Sequence, residues 1–200
     1  GKAVQRGMPE AIELSGTQEQ ILDAVISCIV EGGIAGVSMR AVAEEANVSL
    51  GLLNYHFAGK QSLINAAFRL ACDRLQVTAL EALDGVVGAE ERVRAFVRGS
   101  VQEEFLTPEY LRLRLVLWAA GRLDPEIGDA DLRLYEAYVT RMAALIAEAC
   151  PGAPADEART RADDVALFQN GLWLNWARFG DRGTLERGLR RCEEIALGHS

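Results

Sequence analysis

From residue 18 onward the apolar residues of this chain recur at intervals of three and four, the period of a helix with one buried face. Ile21, Leu22, Val25, Ile26, Ile29 and Val30 form the first stripe, and Thr17-Gln18-Glu19-Gln20 ahead of it has the form of a capping box. The spacing predicts a helix over residues 18–31, stopped by Gly32-Gly33. Ser38 then caps a second helix over 39–46, with Met39, Val42, Ala43 and Ala46 on one face and Arg40, Glu44 and Glu45 on the other. Asn47 supplies a residue that tolerates the left-handed conformation of a tight turn, with Val48 to plug the crevice beneath. Ser49 caps a third, short helix through His56. Helix, turn of three to four residues, helix is helix-turn-helix spacing.

The pattern continues as a fourth helix from Lys60 through Leu63, Ala67, Leu70 and Leu75, and breaks near Asp84-Gly85 and Gly88. Val93, Phe96, Val97 and Val101 mark the next helix; Thr107-Pro108 starts another, with Leu111, Leu115 and Trp118. Pro125 interrupts, and a long helix over 128–149 presents Leu132, Tyr135, Val139, Met142 and Ile146. Pro151 to Pro154 reads as a linker. Two last helices follow, over 155–179 with Val165, Phe168, Leu172 and Trp176, and over 184–197 with Leu185, Leu189 and Cys192. The expected fold is all-α: a three-helix N-terminal helix-turn-helix domain followed by a C-terminal antiparallel helical bundle, about nine helices in all. Residues 1–15 lack a sustained period and are expected to be a mobile arm, 16–75 to form the first domain with its linking helix, and 76–200 the second. Two apolar-faced helices at the end of a chain already supplied with a core invite pairing with a second copy, so a homodimer is expected.

Half of the 200 residues are hydrophobic and a quarter charged, a balance able to bury a sizeable core. No apolar run approaches the roughly 20 residues that span a bilayer, and no secretory pattern precedes the first helix, which points to the cytoplasm and to no membrane partner. Cys28, Cys72, Cys150 and Cys192 are scattered, without a Cys-x-x-Cys pair or a nearby His, so no metal site is expected. The two histidines, His56 and His199, lie far apart, no Ser or Cys sits in a nucleophile setting, and no glycine loop cradles a phosphate. Neither an enzyme nor a cofactor is expected. The net charge of −8 argues against indiscriminate coating of nucleic acid. Over residues 1–70 five basic groups face seven acidic ones, but most of the acids fall on the arm or the first helix while Arg40 and Lys60 flank the third.

That third helix is odd for a core element, because Gly51, Asn54, Tyr55 and His56 are small or hydrogen-bonding groups suited to close approach to a phosphate backbone. The stretch from Ser38 to Leu63, SMRAVAEEANVSLGLLNYHFAGKQSL, resembles the DNA-binding motif of the TetR family. By position the resemblance implies that Ser38, Ser49, Tyr55, His56 and Lys60 contact phosphate and that Gly51 permits close backbone approach. It makes Arg40, Leu50, Leu52 and Asn54 the groove or base-edge contacts, Asn pairing with adenine and Arg with guanine. Leu50 stands where the family often carries a basic or polar residue, and Asn54 where it often carries Tyr; both bear on the operator sequence. One short recognition helix reads few bases, so two heads about 34–36 Å apart are needed to read successive major grooves, and a palindromic double-stranded DNA operator is expected.

The segment Leu167 to Phe179, LFQNGLWLNWARF, together with Trp118 and the Tyr135 helix, resembles the C-terminal domain of the BetI-like branch. Members of that branch include repressors that answer to choline, and a cage drawn from Trp118, Tyr135, Phe168, Trp173 and Trp176 would suit a quaternary ammonium by cation–π attraction. The same aromatics at helical spacing also fit a core or a dimer interface. The expected function is a ligand-responsive repressor released from its operator by a small-molecule inducer. The alternative is a helical interaction protein that keeps the helix-turn-helix without reading sequence.

Overall fold

The computed structural model describes residues 14–199. The expected mobile arm lies, up to residue 13, outside the described residues, whereas its last residue, Ser15, is already structural. Among the described residues the chain is nine α-helices and two 3₁₀ turns, with no strand, so the fold is all-α. No described helix is long and apolar enough to cross a membrane. The chain folds as two compact units, and the boundary between Asp73 and Arg74 falls inside the fourth helix.

The first unit is built on α1 (Gly16–Gly32), α2 (Met39–Ala46), α3 (Leu50–His56) and the first half of α4 (Lys60–Glu81). The capping box of α1 is Ser15 with Gln18, not Thr17 with Gln20: the Ser15 hydroxyl accepts from the Gln18 amide at 3.2 Å, and the Gln18 side chain accepts from the Ser15 amide at 3.1 Å. Both pairs have the sequence form of a box. Gln20 is not free to close its own, because its side-chain amide donates to the Ala46 carbonyl at 2.7 Å and so caps the C-terminus of α2. Ile21, Leu22, Val25 and Ile29 of α1 meet Val42, Ala43 and Ala46 of α2 in one core. Burying each large aliphatic side chain there contributes about 1.5–3 kcal/mol.

In the second unit, α5 (Ala89–Gly99), α6 (Pro108–Gly121), α7 (Pro125–Ala149), α8 (Ala155–Phe179) and α9 (Arg182–Leu197) pack as a bundle, with α7 against α5, α6 and α8, and α9 against α5 and α8. Pro125 does not interrupt a helix but begins one. Asp124 caps it through the amides of Glu126 and Ile127, and proline at the first helical position has no amide to leave unsatisfied. Val139, Met142 and Ile146 of the expected α7 stripe are buried and are joined by Ile127, Ala130 and Leu134, whereas Leu132 is exposed; likewise Leu113 and Leu117 of α6 are buried and Leu115 is not. At the α6–α7 corner a Cβ on Gly128 would stand 2.6 Å from the Gly121 carbonyl oxygen, so that corner closes only around glycine. α4 runs to Glu81, six residues past Leu75, and α9 begins at Arg182 because Asp181 caps it.

An ion network ties α5 to α9. Glu193, nearly buried, accepts from Arg94 at 3.0 Å and from Arg98 at 2.8 Å, and Arg98 also reaches Glu186 at 3.0 Å. Leu185, Leu189 and Cys192 of α9 are buried within their own unit against α5 and α8. The apolar stripe expected on α9 is therefore consumed internally. On α8, by contrast, Val165 and Leu172 face inward while Leu167, Phe168, Leu174 and Phe179 stay exposed.

Candidate nucleic-acid interface

The α2–α3 geometry follows from short-range bonds. The Ser38 hydroxyl accepts from the Ala41 amide at 3.1 Å, and the Ser49 hydroxyl accepts from the Leu52 amide at 3.0 Å. Between them Asn47, the one positive-φ non-glycine among the described residues, adopts φ 54° and ψ 47° and lets its own amide and that of Val48 bond back to the last turn of α2. A serine cap spends an oxygen lone pair and keeps its O–H to donate elsewhere, so capping and phosphate contact are compatible at Ser38 and Ser49.

α3 is anchored from one side only. Leu53 is 0% exposed, and Phe57 just beyond the helix is buried. Around that anchor Leu50 is 45% exposed, Leu52 39% and Tyr55 82%, with Gly51 and Asn54 also exposed. A Cβ added to Gly51 would meet only the Ser49 hydroxyl oxygen, at 3.9 Å, so its backbone faces open space. His56 is half-buried, its ring edge-on to Tyr55 at 5.1 Å. Arg40, Asn54 and Lys60 are exposed and make no hydrogen bond or ion pair with another described residue. Lys60 is also the first residue of α4, where the helix dipole favours acids; a cation there adds its charge to the free amides of the helix end. A short helix that presents three large apolar or aromatic side chains, an unpaired amide and flanking cations to solvent is poorly explained by packing.

The five aromatics expected around a ligand fall into separate places. Trp118 and Trp173 are brought together, both within cation–π distance of the Arg114 guanidinium, 5.3 and 4.7 Å from the ring centres. Tyr135 donates its hydroxyl to Asp163 at 3.0 Å, and burial, then that bond, holds its pKa above the usual phenol value. Trp176 donates its indole N–H to the Leu106 carbonyl at 2.9 Å beneath Arg182. Phe168 lies on the exposed face of α8. An open cleft of about 490 Å³ lies beside Leu106, lined by Arg98, Glu103, Arg182 and Glu186 among others. Arg114 is not among the sequence-predicted site residues, although Tyr110, Arg114 and Trp118 share one face of α6 at spacings of four, a signal readable in the chain.

Comparison with known proteins matches residues 21–67 to the bacterial regulatory proteins of the tetR family and residues 89–197 to the C-terminal domain of BetI-type transcriptional repressors. The chain belongs to the TetR family. The HTH-type transcriptional regulator BetI of Stenotrophomonas maltophilia (strain R551-3) is 27% identical over 187 residues, covering 91% of this chain and 90% of the relative. A solved transcriptional regulator from Pseudomonas aeruginosa PAO1 superposes with a TM-score of 0.81 at 27% identity, over 90% of this chain and 88% of that one. A TetR transcription regulator from Haloarcula marismortui ATCC 43049, at 17% identity, shares the fold with a TM-score of 0.78 over 92% of this chain and 98% of that one. This TetR-family member is accordingly a helix-turn-helix transcriptional regulator and not an enzyme.

Proposed function

We propose that this TetR-family regulator works as a homodimer that lays α3 of each copy into successive major grooves of a palindromic operator and lets go when a small molecule binds its C-terminal unit. Ser38, Ser49, Tyr55, His56 and Lys60 hold phosphates, Gly51 lets the backbone come close, and Arg40, Leu50, Leu52 and Asn54 face the groove. The observation that carries the reading is the outward display of α3 around the single buried anchor Leu53. One short helix reads few bases, so two heads about one DNA turn apart are needed for a specific site.

For pairing, α8 offers the exposed Leu167 and Leu174 with Gly171 between them at helical spacing, and Phe168 and Phe179 beside them. Apolar side chains gathered on one helix face mark an interaction surface. Release requires that the inducer bind one arrangement of the two heads more tightly than the other, typically by 1–3 kcal/mol of coupling; a ligand without that difference shifts nothing.

Selection of bound duplexes from a random DNA pool tests the reading head and the dimer together. A palindrome with half-sites one helical turn apart is the expected product. Enrichment of no sequence favours the second reading, a helical interaction protein that keeps the motif without reading bases.

A further inference from the structure

We propose that Arg114, held over the indoles of Trp118 and Trp173, is a binding group for the carboxylate of an organic anion, and that such an anion is the effector. The site rests on the ligand-responsive reading above and gives its ligand a chemical class. It is assembled from three helices: Tyr110, Arg114 and Trp118 of α6, Asp131 of α7 and Trp173 of α8. The edge of Trp173 meets Tyr110 at 5.2 Å, and Tyr110 meets Phe105 at 4.9 Å, so Trp173 belongs to a run of touching rings that fixes its position under Arg114.

Two features point to an anion. The cation–π faces that a quaternary ammonium would need are already taken by a cation belonging to the chain, at 4.7 and 5.3 Å. A second positive charge there meets the first. The guanidinium itself is also incompletely served: its Nε is buried, and it forms no hydrogen bond or ion pair with a described residue. A planar fork held over two rings, with donors unspent, matches the geometry of a carboxylate.

Asp131 is the resident negative charge acting on Arg114. It is half-buried, and desolvation holds its carboxyl above the ordinary range despite the arginine. An incoming carboxylate takes over the role that Asp131 fills without direct contact. Exchange of partners between α7 and the ligand is thus a local event that a ligand can couple to helix position.

Tryptophan emission of the full chain is titrated with benzoate and octanoate as anionic probes, benzamide as a neutral one and tetramethylammonium as a cation. Saturable binding of at least one carboxylate is expected, weakened about 10- to 100-fold by Arg114→Met, the range for losing a hydrogen bond to a charged group. Arg114→Lys, which keeps the charge and loses the fork, weakens it too, and Asp131→Asn tightens it; far-UV circular dichroism checks that each variant keeps its helices. Saturation by tetramethylammonium with both carboxylates silent overturns the proposal, as does carboxylate binding indifferent to Arg114→Met. Repeating the titrations with the selected operator present separates the two readings. A carboxylate that binds through Arg114 and leaves operator affinity unchanged supports the site and refutes release by ligand. Release by tetramethylammonium in both wild type and Arg114→Met supports release and refutes the carboxylate site.

Discussion

Tyr55 and Leu53 lie two residues apart on α3, and the fold gives them opposite tasks. Leu53 is 0% exposed and Tyr55 82%, and the Tyr55 hydroxyl bonds to no described residue. Tyr55→Phe should therefore leave stability within about 0.5 kcal/mol of wild type, as for a surface change that touches no internal contact. A hydrogen bond to a charged phosphate is worth about 1.5–3 kcal/mol. Two heads double the loss, so operator affinity should fall by about 10²–10⁴. Leu53→Ala does the reverse first: it removes the one side chain of α3 that is fully buried, costing about 3 kcal/mol and lowering the unfolding midpoint by about 6–12 °C. Thermal unfolding by circular dichroism and fluorescence anisotropy on the selected operator, at one fixed salt concentration, measure both quantities for both variants. Unchanged affinity in Tyr55→Phe, or a loss of thermal stability matching that of Leu53→Ala, would refute the outward presentation of α3.

Lys60→Ala should weaken the operator complex and flatten its dependence on salt. With one phosphate left unneutralised at each head, the slope of log affinity against log salt changes by about 1.8 for the dimer, and an identical slope rejects the assignment. Asn47→Val places a β-branched residue at φ 54° and should destabilise the protein by about 1–2 kcal/mol in a denaturant titration, whereas Asn47→Gly should be nearly neutral. Cys192 is fully buried, and desolvation first, then the Glu193 carboxylate, push its thiol from an ordinary value of 9.0 up to about 12. The unfolded chain then loses that proton at lower pH than the folded one, so the thiol's contribution to stability is intact below pH 9 and declines as pH rises toward 12. Cys192→Ala should have a shallower fall in stability across that window, read as the difference between the two unfolding midpoints at each pH.

What was legible in the sequence lies within a few residues of itself. Ser38, Asn47 and Ser49 act through bonds spanning three to five positions, so their caps and the left-handed turn needed no knowledge of the rest of the molecule. The capping box of α1 marks where that locality ends. Two Ser/Thr-x-x-Gln pairs overlapped, and the choice fell to Ser15 because Gln20 is bound across 26 residues to Ala46.

The same division runs through the second unit. Periodicity located α5 to α9 but drew their inward faces imperfectly: on α7 Leu134 is buried and the expected Leu132 is exposed, and on α8 the expected stripe splits, with Leu172 buried and Phe168 exposed. Nor could spacing show that Trp118 and Trp173 would close on Arg114 while Tyr135 and Trp176 found partners of their own. Sequence alone determined which segments are helical and the cap–turn–cap of the helix-turn-helix, because backbone hydrogen bonding and capping are short-range. The tertiary structure decided which faces are spent on the core and which charges meet which rings, because those depend on helices whose touching residues stand tens of positions apart in the chain.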